Sequence, residues 1–503
     1  MLEIIKKASK DSVIYGLGNV SIKLVGLILI PFYTDPRYLS IADYGVLGIM
    51  EACSQILVAI IDLALIQAIT RWYWDSEFAE KKKSMFFTVL FVQGLLSVLL
   101  FCLIWPFRTN ISSLFFNNEN YAGLFILMYI SSVLQVWGQV VQNLMKLQSR
   151  SGLYTVSNIV KLIITLAATI YFVVIKETGL KGIYFGQIIG GLFFVVMLAG
   201  YIINNIKVKL EATVLWKMLN YSLPLVLGSI SGILLSLFDR YSLNFLGELP
   251  DVAKYTLAFR ISNTIRILVI TSVQLALSPL IFQMMDRPGN KRFYSKIMTY
   301  FTLVVMICVL VLSLFCKEIT KVFTTSTEYW DSYVIIPVLS FSILFGMLKD
   351  TALTGLQIAK KTGVIGTVIA VVAVVNLGLN ILLIPLFGIM GAAMATLLSQ
   401  VLFFVIIIIY AQKYYPIPYE FGKVAVMIFS GLALYLLSLL TDDMSLLMRI
   451  LIKSAMLFSY PFILYPFHFY EEVELERIRG AWVKWKKPRN LFRNLKSMRH
   501  SDK

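Results

Sequence analysis

The sequence predicts an all-α polytopic membrane protein of about 14 transmembrane helices, with two parallel six-helix lobes around a central cavity and two extra C-terminal helices. Three observations predict it. Apolar residues fill 58% of the 503 positions and mean hydropathy is +0.80, more apolar surface than a soluble domain can bury. Apolar stretches recur from near the N-terminus to about residue 469 and leave no room for a sizeable soluble domain. The two halves of the chain also repeat each other.

Fourteen stretches near or above the roughly 20 residues that a bilayer requires can be marked. They lie at about 13–33, 43–70, 84–105, 121–146, 152–175, 181–204, 217–246, 252–283, 295–316, 331–358, 363–386, 389–411, 423–440 and 446–468. The first follows a short N-terminus with no small-residue cleavage site after it, so it reads as a retained helix and not a signal peptide. The least marked break, at Thr441-Asp442-Asp443, separates the last two.

The formal charge of +17 acquires its meaning from where the 45 Lys and Arg residues sit. With a cytoplasmic N-terminus, thirty fall in cytoplasmic segments, at most nine on the opposite face, and six inside spans. That asymmetry predicts both termini on the cytoplasmic side of the membrane, and it explains the basic excess without nucleic acid. The basic tail after Glu471, with Trp482, Trp485 and Phe492, suits adsorption to an anionic leaflet and equally a solvated positive-inside segment. The four cysteines (Cys53, Cys102, Cys308, Cys316) fall in apolar spans without metal-ligand spacing, and the two histidines (His468, His500) lie at the chain's end. No phosphate-binding loop, nucleophile elbow or extramembrane carboxylate dyad occurs. The expectation is a protein that is not an enzyme and carries no metal or cofactor, with H⁺ or Na⁺ as coupling ions.

The repeat matches LQSRSGLYTVSN…ETGLKGIYFGQIIG with LQIAKKTGVIGT…LFGIMGAAMATLLSQ. It pairs Gln148 with Gln357, Gly179 with Gly388 and Gly182 with Gly391, each 209 positions apart. Spans 1–6 thus repeat as spans 7–12. An even number of spans gives both halves the same orientation, which is an alternating-access plan with a site between lobes. The expected divisions are 1–210, 211–415, 416–470 for spans 13 and 14, and 471–503 for the tail.

The stretch from Tyr221 to Met284 carries the most unusual chemistry. Two spans meet at a short acidic turn and hold Asp239, Arg240, Arg260 and Arg266, with Ser222, Ser229 and Ser236 seven apart leading to Arg240. A charge at the bilayer centre costs at least about 2.5–3.5 kcal/mol, so these groups face a partner or a watery cavity. Other spans carry polar stripes too: Tyr15, Asn19 and Lys23; Glu51, Gln55 and Asp62; Asn158, Lys161 and Thr165; Arg260, Asn263 and Arg266; and Lys349 beside Asp350. Six membrane bases (Lys23, Lys161, Arg240, Arg260, Arg266, Lys349) face four acids (Glu51, Asp62, Asp239, Asp350). Pairing leaves about two bases over, and a cavity with surplus cations selects anions, arginine being suited to phosphate. Prolines 31, 224, 279, 337, 385, 461 and 466 lie in or at the ends of spans and can bend them.

GLGNVSIKLVGLILIPFYT…ADYGVLG, together with FDRYSLNFLG…VAKYTLAFRI at the start of the second half, resembles the polysaccharide-transporter (Wzx-type flippase) branch of the multidrug/oligosaccharidyl-lipid/polysaccharide exporter superfamily. The resemblance covers nearly the whole chain; Asp239-Arg240 and Tyr44-Gly45 are its most local signs. It implies translocation of an undecaprenyl-pyrophosphate-linked sugar repeat unit from the inner to the outer leaflet, for O-antigen, capsule or exopolysaccharide synthesis. It further implies a monomer working among membrane lipids alongside a polysaccharide polymerase and a chain-length regulator. By position, the substrate-binding role falls to Arg240, Arg260 and Arg266, then Lys23, Lys161 and Lys349, with Arg260 and Arg266 projecting into one cavity. Glu51, Asp62, Asp239 and Asp350 are the ion-coupling candidates. A lipid II flippase shares the fourteen spans. A drug or metabolite antiporter shares the fold but calls for net negative charge in its cavity, and a membrane glycosyltransferase or polymerase calls for larger external loops than those at 106–120 and 317–330.

Overall fold

The computed structural model describes residues 26–285, 287–359, 361–467, 469–472 and 475–476. Among them there is no strand, and twelve helices are long and apolar enough to cross a membrane. In chain order we label these α1 Ile41–Asp62, α2 Lys82–Ile104, α3 Ala122–Leu147, α4 Ser151–Ile170, α5 Leu180–Met197, α6 Ala212–Leu246, α7 Leu249–Ile265, α8 Asn290–Leu314, α9 Ile336–Ile358, α10 Thr362–Tyr414, α11 Phe421–Ser438 and α12 Leu446–Ile463. The expected first span is described only from Gly26, with Ile30–Tyr33 helical. Tyr15, Asn19 and Lys23 lie outside the described residues, as do both histidines and the aromatic residues of the basic tail.

The helix ends follow local chemistry. Before α1, Ser40 Oγ accepts from the Asp43 amide at 3.1 Å while Asp43 Oδ2 accepts from the Ser40 amide at 3.2 Å, a reciprocal cap. The far end of α1 differs from expectation. The stretch read as one span over 43–70 breaks at Leu63 (φ 48°) and Ala64 (φ 52°) and resumes as a short helix, Leu65–Trp72. Two consecutive left-handed residues without glycine or proline give no local signal in the sequence.

α10 is 53 residues long and holds two expected spans end to end, turning at Gly388 (φ 54°, ψ −131°) just after Pro385. Gly179, its partner in the repeat, precedes α5 with nearly the same backbone (φ 58°, ψ −137°), a conformation open to glycine. Three residues on, a Cβ at Gly182 would stand 2.6 Å from Thr178 Oγ1, and one at Gly391 would collide with the Leu383 carbonyl. The repeated glycines thus have a common physical cause: a tight reversal followed by close backbone packing.

Two compact units result. One takes in the described residues up to Tyr294 together with Phe315–Pro418; the other is Ser295–Leu314 with the described residues from Tyr419 onward. The expected boundary at 210/211 falls inside the first unit. There Glu211 is buried, 2.9 Å from Lys209 Nζ and 3.8 Å from Lys81 Nζ, and the hydrogen bond to Lys209 holds its carboxyl below the usual range. In the second unit Lys296 Nζ lies 2.8 Å from Glu420 and 2.5 Å from Glu471, and Thr299 donates to Glu420 at 2.8 Å. Tyr460 is fully buried there and donates to the Met427 carbonyl at 3.0 Å, joining α12 to α11.

Candidate functional site

The first unit encloses a cavity of about 710 Å³. Its walls come from α1 and the short helix after it (Glu51, Gln55, Asp62, Gln67), α3 (Ser131, Gln135, Gln139, Gln142, Asn143, Lys146), α4 (Asn158, Lys161, Thr165) and α5 (Gln187), with Tyr33, Tyr184 and Arg260 at one end. Five charges line it: Glu51 and Asp62 against Lys146, Lys161 and Arg260. On α3 the polar positions are spaced 4, 4, 3 and 4 from Ser131 to Lys146, so they form one stripe on one face. The spacing was available in LQVWGQVVQNLMK, but uncharged glutamines among apolar residues raise little signal when membrane charge is the guide.

Most of these charges are already engaged. Arg260 is paired with Glu51 across 209 residues and lies 5.3 Å from the Tyr44 ring centroid. Asp62 accepts from Gln93 Nε2 at 3.1 Å. Lys161 makes no ion pair or hydrogen bond among the described residues; its Nζ is 5.2 Å from the Phe194 ring centroid and 3.8 Å from where a Cβ on Gly138 would stand.

Near Arg260 the two halves of the chain are in contact. A Cβ on Gly45 would collide with the Leu249 carbonyl, and one on Gly48 would stand 2.5 Å from Thr256 Oγ1, so α1 and α7 touch through glycine. Tyr44 meets Tyr329 edge-on at 5.7 Å between centroids, and the Thr325 amide donates to Thr34 Oγ1 at 3.1 Å.

The other candidate residues lie elsewhere. Asp239 is 2% exposed and accepts from Tyr255 at 2.6 Å, Thr396 at 2.5 Å and Asn380 at 2.8 Å, tying α6 to α7 and α10. Asn380 also donates to Asn376 Oδ1 at 3.2 Å, while its own Oδ1 is buried with no hydrogen-bond partner. Asn376 and Asn380, one turn apart in VVNLGLNILL, were not singled out from the sequence. Arg240 does not pair with adjacent Asp239 in these contacts; it is buried, its guanidinium 5.0 Å from the Phe259 ring centroid. Arg266 does not line the cavity that Arg260 lines. It donates to Asp350 at 3.2 Å, and Asp350 also takes Lys349 at 2.7 Å and Gln274 at 3.2 Å. The cause is helical rotation: Arg266 is six residues beyond Arg260, just past the end of α7, where it opens a wide turn over Arg266–Ile270. Of the Ser222, Ser229 and Ser236 stripe, Ser222 is buried and Ser229 exposed. The described residues hold no cluster of three or more His, Cys, Asp or Glu placed to bind a metal.

The fold is shared with solved transporters. The structure titled "Lipid II flippase MurJ, inward closed conformation" superposes with a TM-score of 0.71 at 15% identity, covering 92% of this chain and 99% of that one. An outward-facing multidrug resistance MATE family transporter of the MOP superfamily gives 0.61 at 13% identity, covering 84% and 96%. An inward-facing one gives 0.60 at 14%, covering 83% and 96%. No curated protein matches the sequence. The family profile described as "Polysaccharide biosynthesis protein" matches residues 8–285. With more than half its length matched, this multi-pass membrane chain belongs to the polysaccharide biosynthesis protein family and has the transporter fold of the MOP superfamily.

Proposed function

We propose that the protein is a flippase that moves a polyprenyl-pyrophosphate-linked oligosaccharide repeat unit from the inner to the outer leaflet of a bacterial inner membrane by alternating access. The observation that carries this reading is the 710 Å³ cavity with polar walls and three bases against two acids. A headgroup of sugars and phosphate cannot cross hydrocarbon without losing its hydration, and such a wall replaces that water with fixed polar groups. The polyprenyl tail can stay in lipid throughout. The positive-inside count supports cytoplasmic termini, and the matching glycine turns support two lobes of one design.

Asp239 is the best-supported ion-coupling group in this reading. It accepts hydrogen bonds from the Tyr255 and Thr396 hydroxyls and the Asn380 amide without a basic partner among the described residues, and Asn380 Oδ1 is left over. A H⁺ or Na⁺ bound there would bridge α6 to α10. A polysaccharide polymerase and a chain-length regulator are the proposed working partners.

The test is surface polymer in a flippase-deficient strain complemented with this chain. Polymer restored by the wild type and reduced by Asp239→Asn at matched protein level supports flipping with coupling, while no restoration by the wild type in its own native strain background refutes the reading. A second reading, lipid II flippase, is favoured by the 0.71 TM-score and 99% coverage. Rescue of a strain depleted of its lipid II flippase would select it.

A further inference from the structure

Resting on the flippase reading, we infer that the α3 face of the cavity is a sugar-binding subsite and that Lys161, not an arginine, seats the phosphate end of the substrate.

The amide face has hydrogen-bonding capacity that its neighbours do not use. Gln135 and Gln139 line the cavity and make no hydrogen bond among the described residues, whereas Gln142 donates to Asn158 at 2.9 Å and Ser131 donates to Gln187 at 2.8 Å. Each free amide offers two donors and an acceptor. Both face the cavity and not the packed interior, and their chemistry complements sugar hydroxyls and N-acetyl groups, which also donate and accept. From Gln135 to Lys146 the stripe runs eleven residues, about 16 Å of helix, which suits an extended oligosaccharide better than one sugar.

The anion seat follows from charge accounting. Arg260 is neutralised by Glu51, and Arg266 shares Asp350 with Lys349. Lys161 has no counter-charge among the described residues and stands beside Gly138, in the middle of the α3 stripe. A half-buried cation without a counter-charge is stabilised by an anion, and this one is placed to hold a phosphate while the amides hold the sugars attached to it. Lys146, at the end of the same stripe, is exposed and provides a second positive charge along the path.

The test uses purified protein in nanodiscs and two probes from one source. One is the lipid-linked oligosaccharide fraction extracted from the strain that carries this chain; the other is the same fraction stripped to bare polyprenyl pyrophosphate. Wild type should prefer the sugar-bearing form by about tenfold or more. Gln135→Leu/Gln139→Leu should bring that preference close to one and leave binding of the bare form unchanged. Lys161→Gln should weaken both forms about tenfold, with Lys161→Arg recovering most of the loss. Gln139→Asn, which keeps the amide but withdraws it by one methylene, replaces the double variant if that variant does not fold. An unchanged preference in the glutamine variants, or equal weakening of both probes, overturns the sugar subsite. Loss of bare-pyrophosphate binding in Arg260→Gln but not Lys161→Gln overturns the anion seat. Wild type that binds neither probe overturns the flippase reading itself, and this subsite with it.

Discussion

At Glu51 and Arg260 one contact serves two purposes, because it neutralises two membrane charges and joins α1 to α7. Their side chains are 34% and 13% exposed, between an open surface pair and a sealed one. Removing one partner from a sealed pair costs about 3–5 kcal/mol and from a surface pair about 0–1 kcal/mol, so Glu51→Gln should cost about 1–3 kcal/mol. Thermal unfolding in detergent measures it. Glu51→Gln/Arg260→Gln should lose less than the two single variants summed, and strict additivity would mean the contact carries no energy. Arg266→Gln leaves Lys349 on Asp350, so its effect on polymer export should be smaller than that of Lys161→Gln. The sequence revealed which side chains are charged inside spans, because burial of charge is rare enough to stand out. It did not reveal who meets whom: the Arg260 partner is 209 residues away, and the Asp239 partners are Tyr255, Thr396 and Asn380 rather than the neighbouring Arg240.

Among the helices, periodicity and composition located the spans well because each is a long apolar run. Their interruptions were legible only where glycine marks them. Gly179 and Gly388 announce their turns, whereas the break at Leu63-Ala64 is set by tertiary packing around two residues with no turn preference. The glycine turns yield a comparison within one helix. Gly388→Ala forces a side chain into φ 54°, ψ −131° and should cost about 1–3 kcal/mol. Gly378→Ala, ten residues earlier in α10 with nothing within 4 Å of the new Cβ, should be neutral or stabilise by up to about 1 kcal/mol. Melting temperatures of the two purified variants decide it; equal shifts would remove the conformational explanation for the repeat.

For the molecule as a whole, orientation rests on thirty basic residues against nine at most. In a background lacking Cys53, Cys102, Cys308 and Cys316, a cysteine placed at exposed Asn118 should react with an impermeant maleimide added to intact cells. One at exposed Lys83 should react only after lysis. The reverse pattern would invert the topology and with it the direction in which the cavity is filled. Orientation was legible because it is a sum over many residues. The amide-lined wall was not, because its meaning depends on four helices meeting around one space. The seam at Gly45 and Gly48 has a kinetic meaning as well. Helices locked by interdigitating side chains must reshuffle rotamers to part, but Gly45 and Gly48 bring no side chains of their own to reshuffle. In the proposed cycle, opening there must break a short set of polar links, among them Glu51 to Arg260 and Thr325 to both Thr34 and Pro31, so its rate can be tuned at single contacts.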